Sequence, residues 1–314
     1  MALNHRPVML AEVVRVLNPR PGGLYVDGTL GAAGHAEAVL AASSPSGRLL
    51  GLDRDPRALE LARERLAGFG DRVHLVQATF DQMEQELTLW GQGRADGVLL
   101  DLGVSSMQLD EPGRGFSFRR DEPLDMRMGA DGPSAAELVA SLDQKELAGL
   151  FKRLGEESQA GRIAKTLVRA RAEEPIATTG RLAGLVERAM PAAERRKRKR
   201  HPATKVFQAL RLAVNDELGM LERFLEQAPR LLAPEGRLAV LSYHSLEDRR
   251  VKRAVAAWAD PCTCPKEIAV CLCGKKPLLK PLGKLMRPTP GEVEANPRAR
   301  SARLRAAMRT EAAA

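Results

Sequence analysis

Residues 24–35 read Leu24-Tyr25-Val26-Asp27-Gly28-Thr29-Leu30-Gly31-Ala32-Ala33-Gly34-His35, and the fold is decided there. Three apolar residues predict a short buried strand over 24–26 that ends in an acid. Glycines at 28, 31 and 34 then make a turn, and the apolar stretch 36–42 reads as a helix. A strand that stops in a glycine-rich turn under a helix N-terminus lets a ligand approach bare backbone, with N–H groups pointing at it. The spacing is Gly-x-x-Gly-x-x-Gly, not the Gly-x-Gly-x-x-Gly of dinucleotide enzymes, so the turn needs support from its surroundings.

Support comes from the next strand, predicted over 48–52, which ends in Asp53 and leads into a helix over 56–67. An acid at the tip of the second strand, about 20 residues beyond the glycines, is placed to take both hydroxyls of a ribose. The bland role for Asp27 and Asp53 is to cap the turns they occupy. Two acids after consecutive strands favour an adenosine-type ligand.

The pattern continues outward on both sides. Residues 8–17 carry apolar positions at helical spacing ahead of the first strand. A third strand over 73–76 is followed by Phe80, placed to stack on an adenine ring or to pack in the core at a helix entry. A fourth strand over 96–100 terminates in Asp101. Four strands alternating with helices predict an α/β fold with a parallel sheet covered on both faces. Ligands of such sheets bind beyond the carboxyl ends of the strands, where Asp27, Asp53, Phe80 and Asp101 gather.

After Asp101 the character changes. Residues 107–133 are rich in Asp, Gly, Pro, Arg and Met without a clear period, and 134–190 read as successive helices, opened by the capping box from Ser134 to Glu137. One long amphipathic helix is predicted over 204–225, a fifth strand over 236–243 and a helix over 246–258. His244 and Ser245 face the common mouth from the end of that strand, although a His at a helix entry also serves as a cap. The organisation expected is a first part of the sheet domain over 1–106, an all-helical insert over 107–200, and a second part with a basic tail over 201–314.

The 314 residues, 44% of them hydrophobic, suffice for a folded core. The net charge is +9, but residues 195–200, Arg195-Arg196-Lys197-Arg198-Lys199-Arg200, carry +6, and residues 274–314 hold ten bases against three acids. The rest of the chain is therefore net negative. Basicity confined to two places fits a grip on a polyanion better than general solubility; a solvated loop is the bland reading of either run. No run of about 18 uncharged apolar residues occurs and the N-terminal stretch lacks a signal-peptide core, so no membrane partner and a cytoplasmic location are expected.

All four cysteines form two Cys-x-Cys pairs, Cys262 with Cys264 and Cys271 with Cys273. In a reducing compartment, four thiols on one short loop are a candidate tetrahedral structural zinc site, although zinc knuckles usually show Cys-x-x-Cys. Arginines at 298, 300, 303, 305 and 309 suit phosphate contacts or a helix folding back on the sheet.

Taken together, these blocks resemble the bacterial 16S ribosomal RNA cytosine-N4 methyltransferase family, which uses S-adenosyl-L-methionine. The likeness rests on residues 5–10 (His-Arg-Pro-Val-Met-Leu), the turn 27–35, 51–55 (Gly-Leu-Asp-Arg-Asp) and 101–106 (Asp-Leu-Gly-Val-Ser-Ser) with Gln108, Leu109 and Asp110. It continues through 115–118 (Gly-Phe-Ser-Phe), 124–128 (Leu-Asp-Met-Arg-Met), 205–211 (Lys-Val-Phe-Gln-Ala-Leu-Arg), 215–218 (Asn-Asp-Glu-Leu), 242–249 (Ser-Tyr-His-Ser-Leu-Glu-Asp-Arg) and 300–305 (Arg-Ser-Ala-Arg-Leu-Arg). The resemblance implies a Rossmann-like class I methyltransferase sheet with an inserted all-helical domain that recognises RNA. It implies methyl transfer to the N4 exocyclic amine of a cytidine in the decoding region (P-site) of 16S rRNA within the small ribosomal subunit. By it, Ala33, Gly34, His35, Asp53, Phe80, Asp101 and Gln108 are expected as cofactor contacts. Asp101 is the first candidate for the amine or the cofactor's aminoacyl end, with Ser105, Ser106 and His244 as secondary catalytic candidates. Members often carry Arg-Gly or Gly-Gly where this chain has Ala32 and Ala33, whose extra methyl is expected to narrow the turn.

DNA amino-methyltransferases commonly place an Asn- or Asp-Pro-Pro-Tyr loop after the fourth strand. Here that place reads Asp101-Leu102-Gly103-Val104, so stacking on the base is expected to pass to Phe116, Phe118 or Tyr243. Three rivals remain at this stage. A non-catalytic RNA-binding ribosome assembly factor with the same fold would not need acids at three strand tips. A small-molecule or protein methyltransferase would be indifferent to loss of the basic run 195–200. A nicotinamide-dependent dehydrogenase is disfavoured by the glycine spacing and by the lack of a second mononucleotide half.

Overall fold

The computed structural model describes residues 7–129, 131–198, 200–265 and 272–311. The chain divides into two compact units, one formed by Met1–Gly103 with Leu218–Ala314, the other by Val104–Glu217.

The first unit is built on seven strands: β1 (Leu24–Asp27), β2 (Arg48–Asp53), β3 (Val73–Gln77), β4 (Ala95–Asp101), β5 (Leu232–Ser242), β6 (Leu279–Pro281) and β7 (Arg303–Arg309). Their order across the sheet is β3-β2-β1-β4-β5-β7-β6. The first five run parallel, and β7 lies antiparallel between β5 and β6. The strands at the centre are apolar at nearly every position because both faces are covered. Period-two alternation sends successive side chains to opposite layers. Val98 and Leu100 join Leu24, Val26, Phe224 and Val251 on one face, while Leu99 joins Tyr25, Leu49, Leu40 and Leu59 on the other. The register Asp27↔Gly51, Asp53↔Gln77 and Asp101↔Leu241 lines up the strand ends at one edge, and that edge holds the three acids.

The order β3-β2-β1-β4-β5 is doubly wound, with its reversal between β1 and β4. The expected α/β sheet is therefore observed, with two strands that the sequence reading missed. The 298–309 segment folds back on the sheet as a strand, with Pro297–Ser301 a short 3-10 helix and residues 303–309 forming β7. Leu304 and Ala306 enter one core layer, and Arg303 and Arg305 pair with Asp248 at 3.0 and 2.7 Å. Arg309 is buried and donates to the Leu232 carbonyl. The alternation of Arg with apolar residues over 303–306 is a strand period, and it was the available signal.

The second unit is helical: Ala135–Ser141, Gln144–Gly155, Ala160–Glu173, Thr179–Ala189, Ala192–Lys197 and Thr204–Val214. Phe151, Ile163, Leu167, Val186, Val206 and Leu210 form its own core. The Ser134 capping box forms as expected, and a second one runs between Asp143 and Glu146. The single helix predicted over 204–225 is two. Thr204–Val214 ends at Asn215, Asp216 adopts φ 47°, and Glu217–Leu231 begins anew. Asp tolerates the left-handed region better than most residues. The Asn215 side chain explains the break: it accepts from Met128 N (2.8 Å) and donates to the carbonyls of Met126 (2.8 Å) and Arg211 (2.9 Å), tying the 124–128 loop to the helix end. No helix among the described residues is long and apolar enough to cross a membrane.

Candidate active site at the carboxyl edge of the sheet

The turn after β1 is built from two left-handed residues, Gly31 at φ 49° and Ala33 at φ 59°. Ala33 pays the penalty of that conformation, about 1–2 kcal/mol for a non-glycine residue. Its methyl is fully buried in the core layer with Leu30 and Ala36, so the extra carbon does not narrow the turn. Gly28 and Gly34 are required for close approach. A Cβ at Gly28 would lie 2.6 Å from a Leu100 methyl, and one at Gly34 would lie 2.4 Å from the Pro7 ring. Helix Gly34–Ala42 starts directly from the turn, with its first N–H groups at the same edge as the acids.

Asp53 holds the turn. Its Oδ2 accepts from Gly31 N at 2.8 Å and its Oδ1 from Asp55 N at 2.9 Å. A carboxylate offers about four acceptor sites, so two N–H bonds leave capacity for hydroxyl donors. Burial raises its carboxyl to about 6 against those two N–H groups. Asp27 is 3% exposed and accepts from Thr29 N at 3.1 Å. Burial lifts it to about 7, with the neighbouring charges of Asp101 and Asp53 adding to the effect.

Asp101 lies at the centre of a polar group drawn from three strand ends. Its backbone N–H donates to Thr29 Oγ1 at 2.6 Å, and its Oδ1 accepts from the Tyr243 hydroxyl at 2.7 Å. Its Oδ2 lies 3.8 Å from His35 Nδ1. His35 Nε2 is 3.0 Å from the Val8 carbonyl, which can only accept, so Nε2 donates there and Nδ1 is the nitrogen that faces the carboxylate. Burial, followed by the Asp101 charge, pushes the Tyr243 phenol well above its ordinary value, and it stays a donor. Thr29 is the part of this arrangement that the sequence did not point to, and Tyr243, expected there for stacking, is instead a hydrogen-bond donor to Asp101. Nothing local marks Thr29, because it meets Asp101 only through sheet pairing.

Other expected site residues have structural occupations. Phe80 is buried and packs edge-on against Phe224 with centroids 6.0 Å apart, so its ring fills the core. His244 caps helix Ser245–Ala259: its Nδ1 accepts from Glu247 N at 3.4 Å and its Nε2 lies 3.1 Å from Glu247 Oε1. Glu247 in turn accepts from Tyr243 N at 2.9 Å and His244 N at 3.2 Å. His244 is thus a cap, and its position at the mouth follows from that duty.

In the helical unit, Ser105 and Gln108 form a reciprocal capping box: Gln108 N donates to Ser105 Oγ (3.2 Å) and Ser105 N to Gln108 Oε1 (3.1 Å). Phe116 is buried in the helical core, and Phe118 packs on Phe207 and His201 with centroids 4.9 and 4.7 Å apart. Tyr243, the third expected stacking aromatic, stands beside Asp101 within the sheet unit.

The described side chains of the basic run have different partners. Arg198 turns inward and makes a bidentate pair, at 2.6 and 2.7 Å, with Glu157, whose side chain is fully buried. Arg195 meets Glu187 and Lys197 meets Glu194, both at 3.4 Å across exposed surface. Arg196 and Arg200 are exposed, and Lys199 lies outside the described residues. Arg198, expected as an RNA contact, is thus paired with a buried carboxylate. Cys262, Cys264 and Cys273 converge, whereas Cys271 lies outside the described residues.

Comparison with known proteins agrees with this geometry. A family model described as the MraW methylase family matches residues 2–310. The chain is 53% identical over 314 residues to "Ribosomal RNA small subunit methyltransferase H" of Symbiobacterium thermophilum, covering 99% of this chain and 98% of that one. The protein of the same name from Geobacter sulfurreducens is 55% identical over 309 residues, covering 98% and 99%. With full-length identity of this order and one family model spanning the sheet and the helical unit alike, the chain belongs to the MraW methylase family.

Proposed function

We propose that the chain is an S-adenosyl-L-methionine-dependent methyltransferase acting on the N4 amine of a cytidine in the decoding region of 16S rRNA, within the small ribosomal subunit and in the cytoplasm. One observation carries the reading: acids end β1, β2 and β4 at the edge where the left-handed turn and a helix N-terminus meet, and Asp101 there is held by Tyr243 and faced by His35. The residues fit a sulfonium nucleoside. Asp53 retains acceptor capacity for ribose hydroxyls, and the backbone of Ala33, Gly34 and His35 offers a close approach. When bound, the cofactor supplies an already activated methyl group.

The protein's share is then alignment, exclusion of water and help for a poor nucleophile. The lone pair of a cytosine amine is delocalised into the ring, so it attacks only when hydrogen bonding holds the nitrogen partly pyramidal. Asp101 is the group for this: Tyr243 holds its Oδ1, and its carboxylate is the acceptor proposed for an amine N–H. His35 Nδ1 lies beside that carboxylate, 3.8 Å from Oδ2. The base has to leave its stack to reach such a site. Arg195, Arg196, Lys197, Lys199 and Arg200 are proposed as phosphate contacts, and Gln108 as a cofactor contact.

The test is methyl transfer from labelled S-adenosyl-L-methionine to small subunits and to naked 16S rRNA, with the product nucleoside identified by mass spectrometry. N4-methylcytidine made by the intact protein, and lost in Asp101→Ala with cofactor binding retained, is the expected result. Cofactor binding without label on either RNA would sink the ribosomal reading.

A further inference from the structure

The loop between helix Ser245–Ala259 and β6 takes no part in the site above. Its ends are tied together: Leu278 N donates to the Trp258 carbonyl at 2.8 Å, and Thr310 N to the Leu278 carbonyl at 3.0 Å. The chain therefore leaves and returns at nearly one point. Among its described residues from 260 to 278 none is buried, and Leu272 is 77% exposed. Apolar burial does not hold these described residues in shape. Even so, the sulfurs of Cys262, Cys264 and Cys273 all lie within 4.8 Å of one another.

We propose that Cys262, Cys264 and Cys273 bind a zinc ion that staples this loop. Two sulfurs bound at ~2.3 Å in a tetrahedral site are about 3.8 Å apart. Cys262 Sγ and Cys273 Sγ are separated by 3.9 Å, far beyond the ~2.05 Å of a disulfide. The Leu272 backbone N–H donates to Cys264 Sγ from 3.3 Å, which orients that sulfur within the cluster. Soft thiolate donors without carboxylate or imidazole select zinc over hard divalent ions. Three thiolates and one zinc ion leave a single negative charge, which the exposed Lys275 and Lys276 screen. The ion ties together a loop whose described residues lie outside the core, and its ligands sit eleven residues apart at the widest, a span short enough to close at small entropic cost.

The experiment uses the full chain, purified without metal-affinity tags or chelators, with zinc measured by plasma mass spectrometry. About one zinc per chain is expected, released when the thiols are mercurated. Cys262→Ser, Cys264→Ser and Cys273→Ser should each weaken zinc retention at least tenfold in competition with a chromophoric chelator. Chelation should speed tryptic cleavage after Lys275, while S-adenosyl-L-methionine binding, read calorimetrically, stays unchanged. Wild-type protein that retains no zinc from zinc-supplemented buffer overturns the proposal. So does unchanged zinc content in the triple serine variant, or a Cys262–Cys273 disulfide in the protein as purified under reducing conditions.

Discussion

Arg198→Ala separates the two roles that a basic run can have. Glu157 is fully buried at its side chain and accepts two bonds from Arg198, at 2.6 and 2.7 Å, and one from Gln159 N at 2.8 Å. Removing the guanidinium leaves a buried carboxylate with a single N–H, and breaking a buried pair in this way costs about 3–5 kcal/mol. Arg198 is 17% exposed, so water can partly replace it, which argues for the lower end, about 3 kcal/mol or roughly two decades in the unfolding constant. The pH dependence has a definite sign. Burial works to raise the Glu157 carboxyl, but the Arg198 bonds, the Gln159 N–H and the Arg198 charge together outweigh it and hold it below its ordinary value. A depressed folded-state value means that the contribution is present above the unfolded value, about 4.3, and is lost as pH falls through the folded one. Urea unfolding of wild type, Arg198→Ala and Arg198→Met/Glu157→Gln at pH 7, with RNA affinity measured alongside, tests this. The single variant should be destabilised and the double variant largely restored. Stability within ~0.5 kcal/mol of wild type, combined with a loss of RNA affinity equal to that of Arg196→Ala, would refute the argument and return Arg198 to the RNA.

Four further outcomes follow from the same contacts. Because Asp27 titrates near 7 when folded and near its ordinary ~3.9 when unfolded, the folded state keeps a proton that the unfolded state has released, and stability declines as pH rises through that window; Asp27→Asn should flatten the profile, and parallel profiles in denaturant melts from pH 5 to 8 would contradict this. Tyr243→Phe removes the 2.7 Å bond to Asp101, worth about 1.5–3 kcal/mol for a charged acceptor, so single-turnover methyl transfer should slow roughly 10- to 100-fold with cofactor affinity changed far less. Asn215→Ala leaves the Met128 N–H and the Met126 carbonyl unmatched, at about 1–3 kcal/mol each, a loss measurable as a lower urea midpoint. Replacing Arg196 or Arg200 by Gln should leave that midpoint alone and reduce the salt slope of RNA binding by about 0.7–0.9 per contact removed; an unchanged slope would take that residue off the RNA.

The parallel sheet was legible because its strands are apolar at consecutive positions and each ends in a turn residue or an acid. That pattern is local, and the chain keeps it wherever both faces are to be covered. The helical character of the insert was legible for the same reason, through helical periodicity and the Ser134–Glu137 box. Strand β7 was hidden because arginine is read as a surface residue; only its pairing with β5 and the presence of Asp248 across the way make Arg303 and Arg305 part of a sheet. The break after Val214 was hidden because amphipathic spacing continues through 204–225 while the Asn215 bridge to Met126 and Met128 spans almost ninety residues of sequence.

The sequence by itself determined the α/β class, the acids at the strand ends, the glycine turn and the candidate ligand chemistry, since each depends on residues within a few positions of one another. Only the tertiary structure decided which of those residues are available. It gave Arg198 to Glu157, Phe80 to the core and His244 to a helix end, and it gave Tyr243 and His35 to Asp101. The physical reason is the same in each case: a polar or aromatic side chain goes to whichever partner the fold brings within reach, and for these residues that partner was settled by packing between distant segments.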